Sequence, residues 1–316
     1  MTFSVGELTV ERGEELRGYL EVGRASTHDV DLPFIVINGE EEGPTLCVTA
    51  GVHSVECAPV EAALRLADSV EPGELRGTLV ILPLVNTEGF HARTPYHNSL
   101  DHLNQNKVFP GDPDASVTRR VAHAVFEGFV SKSDYLVDCH SADLGEDVRR
   151  AVNIFRTDDG GLRARMLEMA RCFHPILVET AEISGNTGEA VDLYGIPCVM
   201  TESGTPYPIR EEDVLFHLDG LRNILRHLGM LEGETSLGNP PVDPRAQRLW
   251  AEMGGIWRRG VEAGERVREG QRLGEVSDLV GETLQEVGAP FDGVVSFLRT
   301  HYSVNAGDTL LWVANV

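Results

Sequence analysis

Between Pro33 and Leu231 short apolar, β-branched runs alternate with helix-period patterns, and this alternation restricts the fold more than any single residue does. "PFIVING", "TLCVTAG", "TLVILPLVN", "DYLVDCH", "VNIFR", "PILVET" and "PCVMTES" read as strands. Between them "VEAALRLADSV", "VTRRVAHAVFEGFV", "LRARMLEMARCF" and "DVLFHLDGLRNILRHLGML" repeat apolar residues at helical spacing. Such a sequence predicts an α/β domain, with a mixed or largely parallel sheet and helices on both faces. The pattern then changes. Residues 235–247, rich in Gly and Pro, lack periodicity and read as a linker. Residues 248–316 are short strands bounded by glycines, which predicts a small C-terminal all-β domain behind a catalytic domain of residues 1–234.

Composition narrows the partners. The 316 residues carry a formal net charge of -23, a field that repels phosphate backbones and anionic membranes. Nucleic acid and membrane are therefore excluded as expected partners. A local Arg or Lys cluster still permits an anionic small molecule. The N-terminus has no basic stretch followed by an apolar run, and no stretch reaches membrane-spanning length. Five cysteines without a CxxC, three of them (Cys47, Cys139, Cys198) in apolar strand runs, read as free thiols of a cytoplasmic protein.

Chemistry is concentrated where strands end. "TLCVTAGVHSVE" places His53 and Glu56 just after one strand, "DYLVDCH" ends on His140, and "IPCVMTES" brings Glu202 to the end of a third. Ligands of open α/β sheets sit beyond the carboxyl ends of the strands, so the four residues are expected to converge. Two imidazoles and a carboxylate form a catalytic zinc set with a position left for water, and Glu202 is placed to act on that water as general base. Non-haem iron uses the same donors, but usually within a β-barrel; zinc with a further Glu fits hydrolysis better. Asp138 reads as a partner that orients His140, or as an ordinary strand-end carboxylate.

The loop Val85 to Gly111 lies between the ligand segments and holds Arg93, Asn106 and Lys107, which can bind a carboxylate or polarise a carbonyl. His91, His97 and His102 share that loop and read as solvated, while His123 and His227 sit in helical patterns and read as structural. No G-x-S-x-G elbow surrounds Ser54, Ser141 or Ser203, and there is no phosphate-binding glycine loop.

In order along the chain, "AGVHSVE", "LDHLNQNKVFPG", "DYLVDCHS" and "GIPCVMTESG" resemble the succinylglutamate desuccinylase/aspartoacylase family, zinc-dependent deacylases related to the zinc carboxypeptidases. The resemblance runs from about Thr45 to Leu231. It implies one zinc per chain on His53, Glu56 and His140, Glu202 as general base, and hydrolysis of the amide of a small N-acyl amino acid or amine. It implies further that Arg93 polarises the scissile carbonyl and that the Asn106 and Lys107 positions bind the substrate carboxylate. The family motif has Arg at position 107, so Lys107 is a departure that bears on substrate choice; the chain has only one other lysine, Lys132. The alternatives are a zinc carboxypeptidase acting on peptides and a catalytically silent zinc-binding protein. The tail resembles a biotinyl/lipoyl-type module but contains no acceptor lysine. It is therefore expected to cap the catalytic domain or to mediate homo-oligomerisation.

Overall fold

The computed structural model describes residues 2–316. Two short strands, β1 (Phe3–Val5) and β2 (Leu8–Val10), pair ahead of the long strand β3 (Glu14–Arg24). They are followed by β4 (Asp29–Asn38), β5 (Glu41–Ala50), helix α1 (Cys57–Ala67), β6 (Arg76–Leu82), α2 (Thr87–Ala92) and α3 (Val117–Gly128). Next come β7 (Tyr135–His140), β8 (Glu146–Phe155), α4 (Gly160–Arg171), β9 (Leu177–Ala181), α5 (Glu189–Tyr194), β10 (Cys198–Gly204) and α6 (Glu211–His227). The tail contributes β11 (Ala246–Trp250), β12 (Gly255–Arg259), β13 (Arg266–Val267), β14 (Arg272–Ser277), β15 (Thr283–Gly288), β16 (Gly293–Arg299), β17 (Ser303–Val304) and β18 (Thr309–Ala314).

The centre of the molecule is a mixed sheet in which β6, β5, β7 and β10 run parallel to one another in that spatial order. The runs Leu46–Ala50 and Leu136–His140 are buried throughout, because central parallel strands are covered on both faces. Antiparallel β4 and β3 extend one side. β3 alternates exposed and half-buried residues, as an edge strand with one solvated face does. It also lies before the first strand legible in the sequence, since its charged outer face masks the apolar one. α1 buries Leu66 together with Ala58, Ala62, Ala63 and Ala67, whose small side chains let it lie close to the sheet and against α6.

On the other side β8 runs antiparallel to β10 and pairs in turn with β16 of the tail, Phe297 opposite Val148 and Arg299 opposite Glu146. One twelve-stranded sheet thus passes from the α/β part into the C-terminal β region. A separate four-stranded antiparallel sheet, β15-β14-β12-β17, completes that region around its own core of Trp257, Leu273, Val295, Leu298 and Leu311. The segment before it is strapped along β9: the Val178 N–H donates to the Pro241 carbonyl at 2.9 Å, and Asp243 accepts from the Thr180 N–H at 2.6 Å and hydroxyl at 2.8 Å.

Candidate active site

Three parallel strands deliver four side chains to one edge. Gly51, at φ +61°, ends β5 and turns the chain so that His53 follows the strand directly; Glu56 is the N-cap of α1. His140 is the last residue of β7, and Glu202 lies opposite it in the β7–β10 ladder.

The two histidines are set by their outer nitrogens. His53 Nε2 is 3.2 Å from Asn104 Oδ1, and His140 Nε2 is 2.9 Å from Asp138 Oδ2. Each of those oxygens accepts, so each Nε2 carries the proton, and both rings present Nδ1 to a single carboxylate. Glu56 Oε1 is 2.8 Å from His53 Nδ1, and Oε2 is 2.9 Å from His140 Nδ1. Asp138 is held in turn by the Thr49 hydroxyl at 2.6 Å and the Thr187 hydroxyl at 2.7 Å. Asn104 Oδ1 also accepts from the Asn106 N–H at 2.8 Å. This is the arrangement in which an outer hydrogen bond fixes the tautomer of a metal-binding imidazole.

The donor set fits a cation. One ligand atom from each of His53, Glu56 and His140 lies within 4.8 Å of the other two. Burial alone would raise the Glu56 carboxyl, but His140 and His53 bring it down to about 2. Burial disfavours a charged His140, yet Asp138 and Glu56 on either side push it well above the ordinary imidazole value. Two fully buried carboxylates around one imidazole therefore make a field that calls for a positive charge, which a divalent ion supplies with neutral histidines.

Glu202 stands in a different environment. Burial pushes its carboxyl well above the ordinary carboxylate range; His140 opposes this, and Glu56, Asp138 and Glu146 reinforce it. It lines, with His53 and Glu56, a cavity of about 710 Å³. The far wall comes from the tail, where Phe297 and Trp312 stack at 5.2 Å and the Arg248 guanidinium lies 4.2 Å above the Trp312 ring.

Of the loop residues, Lys107 lines this cavity and is exposed. Asn106 is half-buried, with an Oδ1 that has no hydrogen-bond partner. Arg93 lies outside the lining. It is the exposed C-cap of α2, at φ 57°, and its charge is felt by Tyr207. His91, His97 and His102 are exposed. The sequence reading did not single out Asn104, Thr49, Thr187, Tyr96 or Asp143, which touch the donor histidines, hold Asp138 or line the cavity. Asn104, two residues before Asn106 in "LNQNKVFPG", was the one within reach of it, because an Asn followed by a one-turn helix caps that turn.

Residues 42–228 match the family model described as the succinylglutamate desuccinylase/aspartoacylase catalytic domain. The N-alpha-acetyl-L-2,4-diaminobutyric acid deacetylase of Halomonas elongata is 30% identical over 299 residues, covering 91% of this chain and 86% of that protein. The crystal structure of a succinylglutamate desuccinylase/aspartoacylase from Rhodobacter sphaeroides superposes with a TM-score of 0.87 at 26% identity, over 98% of both chains. The product-bound ectoine utilization protein EutE (DoeB) from Ruegeria pomeroyi shares the fold, with a TM-score of 0.88 at 24% identity over 98% of both chains.

Proposed function

Because the chain belongs to the succinylglutamate desuccinylase/aspartoacylase family, we propose that it hydrolyses the amide of a small N-acyl amino acid, using a zinc ion held by His53, Glu56 and His140. The observation that carries this reading is the convergence of those three donors within 4.8 Å, with Glu202 opposite His140 in the ladder and lining the same cavity. The relative from Halomonas elongata is named for an N-acetylated diamino acid, and we carry over that size and class of substrate.

Zinc bound there would act as a Lewis acid and lower the pKa of a bound water. The protein supplies the rest. Glu202 takes a proton from the attacking water and gives it to the amine nitrogen as the C–N bond breaks. Its raised affinity for a proton suits it to hold one between those two steps. Asp138 and Asn104 keep the imidazoles in one tautomer throughout. Lys107 and Asn106 receive the substrate's α-carboxylate, the Asn106 side-chain amide rotating so that its Nδ2–H₂ donates where Oδ1 now lies unpartnered. The family resemblance assigns the scissile carbonyl to Arg93, whose exposed side chain stands at the α2 C-cap outside the cavity lining. Residues 1–234 form the catalytic unit, 235–247 the strap, and 248–316 a module that closes the cavity. Five free thiols, four of them buried, fit a reducing cytoplasmic setting.

The reading is tested by loading the purified chain with zinc and offering N-acetyl, N-succinyl and N-formyl amino acids. We expect about one zinc per chain and loss of turnover on chelation, restored by zinc. Full activity in metal-free protein would overturn it.

A further inference from the structure

Asp143 is a buried carboxylate of the cavity that the proposed chemistry leaves unused. It is 3% exposed, lines the cavity, and follows β7 by three residues. Its Oδ1 accepts from the Leu144 N–H, while Oδ2 has no hydrogen-bond partner of good geometry. A buried carboxylate with no cation beside it and only the neighbouring Tyr96 hydroxyl to meet Oδ2 is costly, and such a group in a binding cleft is open to a positive charge from a ligand.

Three other acids of this wall each face an arginine. Glu146 faces Arg299 at 3.6 Å, Glu182 faces Arg156 at 2.6 Å, and Asp243 faces Arg163 at 3.7 Å while accepting from Thr180. Glu179 feels the charge of Arg248. Asp143 pairs with no cation among the described residues. The Tyr96 hydroxyl lies beside it, and the Tyr96 ring meets His53 edge-on at 5.3 Å, so one side chain separates Asp143 from a proposed metal ligand. Asp143 joins no second cluster of metal-ligating side chains among the described residues. An ammonium carries three N–H donors; the Asp143 carboxylate and the Tyr96 hydroxyl oxygen offer an anion and a neutral acceptor for two of them.

The position is also held firmly. The Glu146 N–H donates to the Asp143 carbonyl at 3.0 Å, and the Thr300 and His301 N–H groups of the tail donate to the Gly145 carbonyl at 2.7 and 3.1 Å. Gly145 has φ +79°, and a Cβ there would come 2.8 Å from His301 Cβ, so only glycine lets the tail approach this closely.

We propose that Asp143, with the Tyr96 hydroxyl, binds the terminal ammonium of the substrate's side chain, so that the enzyme selects N-acyl amino acids with a cationic side chain over neutral ones of the same length. This assignment rests on the deacylase reading above for its placement beside the reacting amide. Burial pushes the Asp143 carboxyl above its ordinary range and the Glu56 charge adds to this, the condition that an incoming cation relieves.

The experiment compares Nα-acetyl-2,4-diaminobutyrate with Nα-acetyl-2-aminobutyrate, which lacks only the terminal ammonium, on the zinc-loaded full chain. The wild type should prefer the first at least tenfold in kcat/KM. Asp143→Asn and Asp143→Ser should each lower that ratio at least tenfold, mainly through KM for the cationic substrate. No wild-type preference, or an equal loss on both substrates, overturns the assignment. Calorimetric titration with free 2,4-diaminobutyrate and 2-aminobutyrate separates the two readings. If neither amide is hydrolysed the deacylase reading fails, yet tighter binding of the diamino acid to wild type than to Asp143→Asn still supports the subsite. Equal binding of both amino acids to the wild type removes it.

Discussion

Glu202 lies directly across the β7–β10 ladder from His140, while Glu56 spans the Nδ1 atoms of His140 and His53. Two carboxylates thus share one edge and are driven in opposite directions. Glu56, between two imidazoles, is held down to about 2 and stays an anion suited to ligation. Glu202, buried among other carboxylates, is pushed up and suited to carrying a proton. Environments that separate the proton affinities of neighbouring groups are how one site assigns different roles to identical side chains.

Replacing Glu202 by Gln keeps the shape and removes the proton acceptor. We expect E202Q to bind zinc like wild type and to lose turnover by about a hundred- to ten-thousandfold, the usual contribution of a positioned general acid–base. Metal analysis and kcat, measured on the same preparation, decide this. A kcat within a few-fold of wild type would exclude Glu202 as the base.

Asp138 touches no substrate in this scheme; it acts through His140 Nε2 at 2.9 Å. Asp138→Asn leaves the Thr49 and Thr187 hydroxyls with an amide in place of a buried anion and allows the wrong tautomer of His140. Loss of such an orienting partner typically weakens metal affinity by about 10–100-fold. A chelator-competition titration should show that drop, with kcat at saturating zinc reduced less. Unaltered affinity would make Asp138 a structural residue only.

What the sequence revealed, and what it hid, follows from where each kind of information lies. His140, the last residue of β7, and Glu202, two residues before the end of β10, stand out because an apolar run gives way to a polar group, and a parallel strand carries that pattern in consecutive residues. Asp143 stands in no such contrast; its importance is a buried carboxylate with no cation beside it, a property of space and not of order. The union of β8 with β16 was equally hidden, since it consists of backbone hydrogen bonds between residues about 150 apart with no side-chain signature. A glycine-bounded tail therefore reads as a separate module, while the structure continues the main sheet into it.

His217 on α6 provides a pH test independent of turnover. It is fully buried, its Nδ1 lies 3.0 Å from Thr201 Oγ1, and its Nε2 has no partner. Burial holds its proton affinity down to about 3, so the folded protein keeps it neutral where the unfolded chain begins to take up a proton below about pH 6.5. The unfolded state then binds the extra proton. This contribution to stability is whole above about pH 6.5 and declines as pH falls toward about 3. His217→Gln, compared with wild type in metal-free form to exclude zinc loss, should show a shallower fall of Tm between pH 6 and pH 4. Parallel curves would assign the acid sensitivity to other groups.

Lys107 is gripped from behind. Gly185 lies against its backbone at φ +75°, where a Cβ would stand 2.5 Å from the Lys107 carbonyl oxygen, and the Phe109 N–H donates to the Gly185 carbonyl at 2.9 Å. Two substitutions separate the charge from its placement. Lys107→Arg exchanges a point charge for a planar fork that grips a carboxylate with two hydrogen bonds. It should lower KM by roughly three- to tenfold for N-acyl amino acids and leave it unchanged for N-acyl amines without a carboxylate. Gly185→Ala keeps the ammonium but forces the two backbones apart. It should raise KM for the same acids several-fold at nearly constant kcat, and cost about 1–3 kcal/mol of stability through backbone strain. Steady-state kinetics on the matched pair of substrates, with Tm alongside, reads both effects. A Lys107→Arg enzyme indifferent to the carboxylate would remove this side chain from substrate binding, whatever Gly185→Ala does.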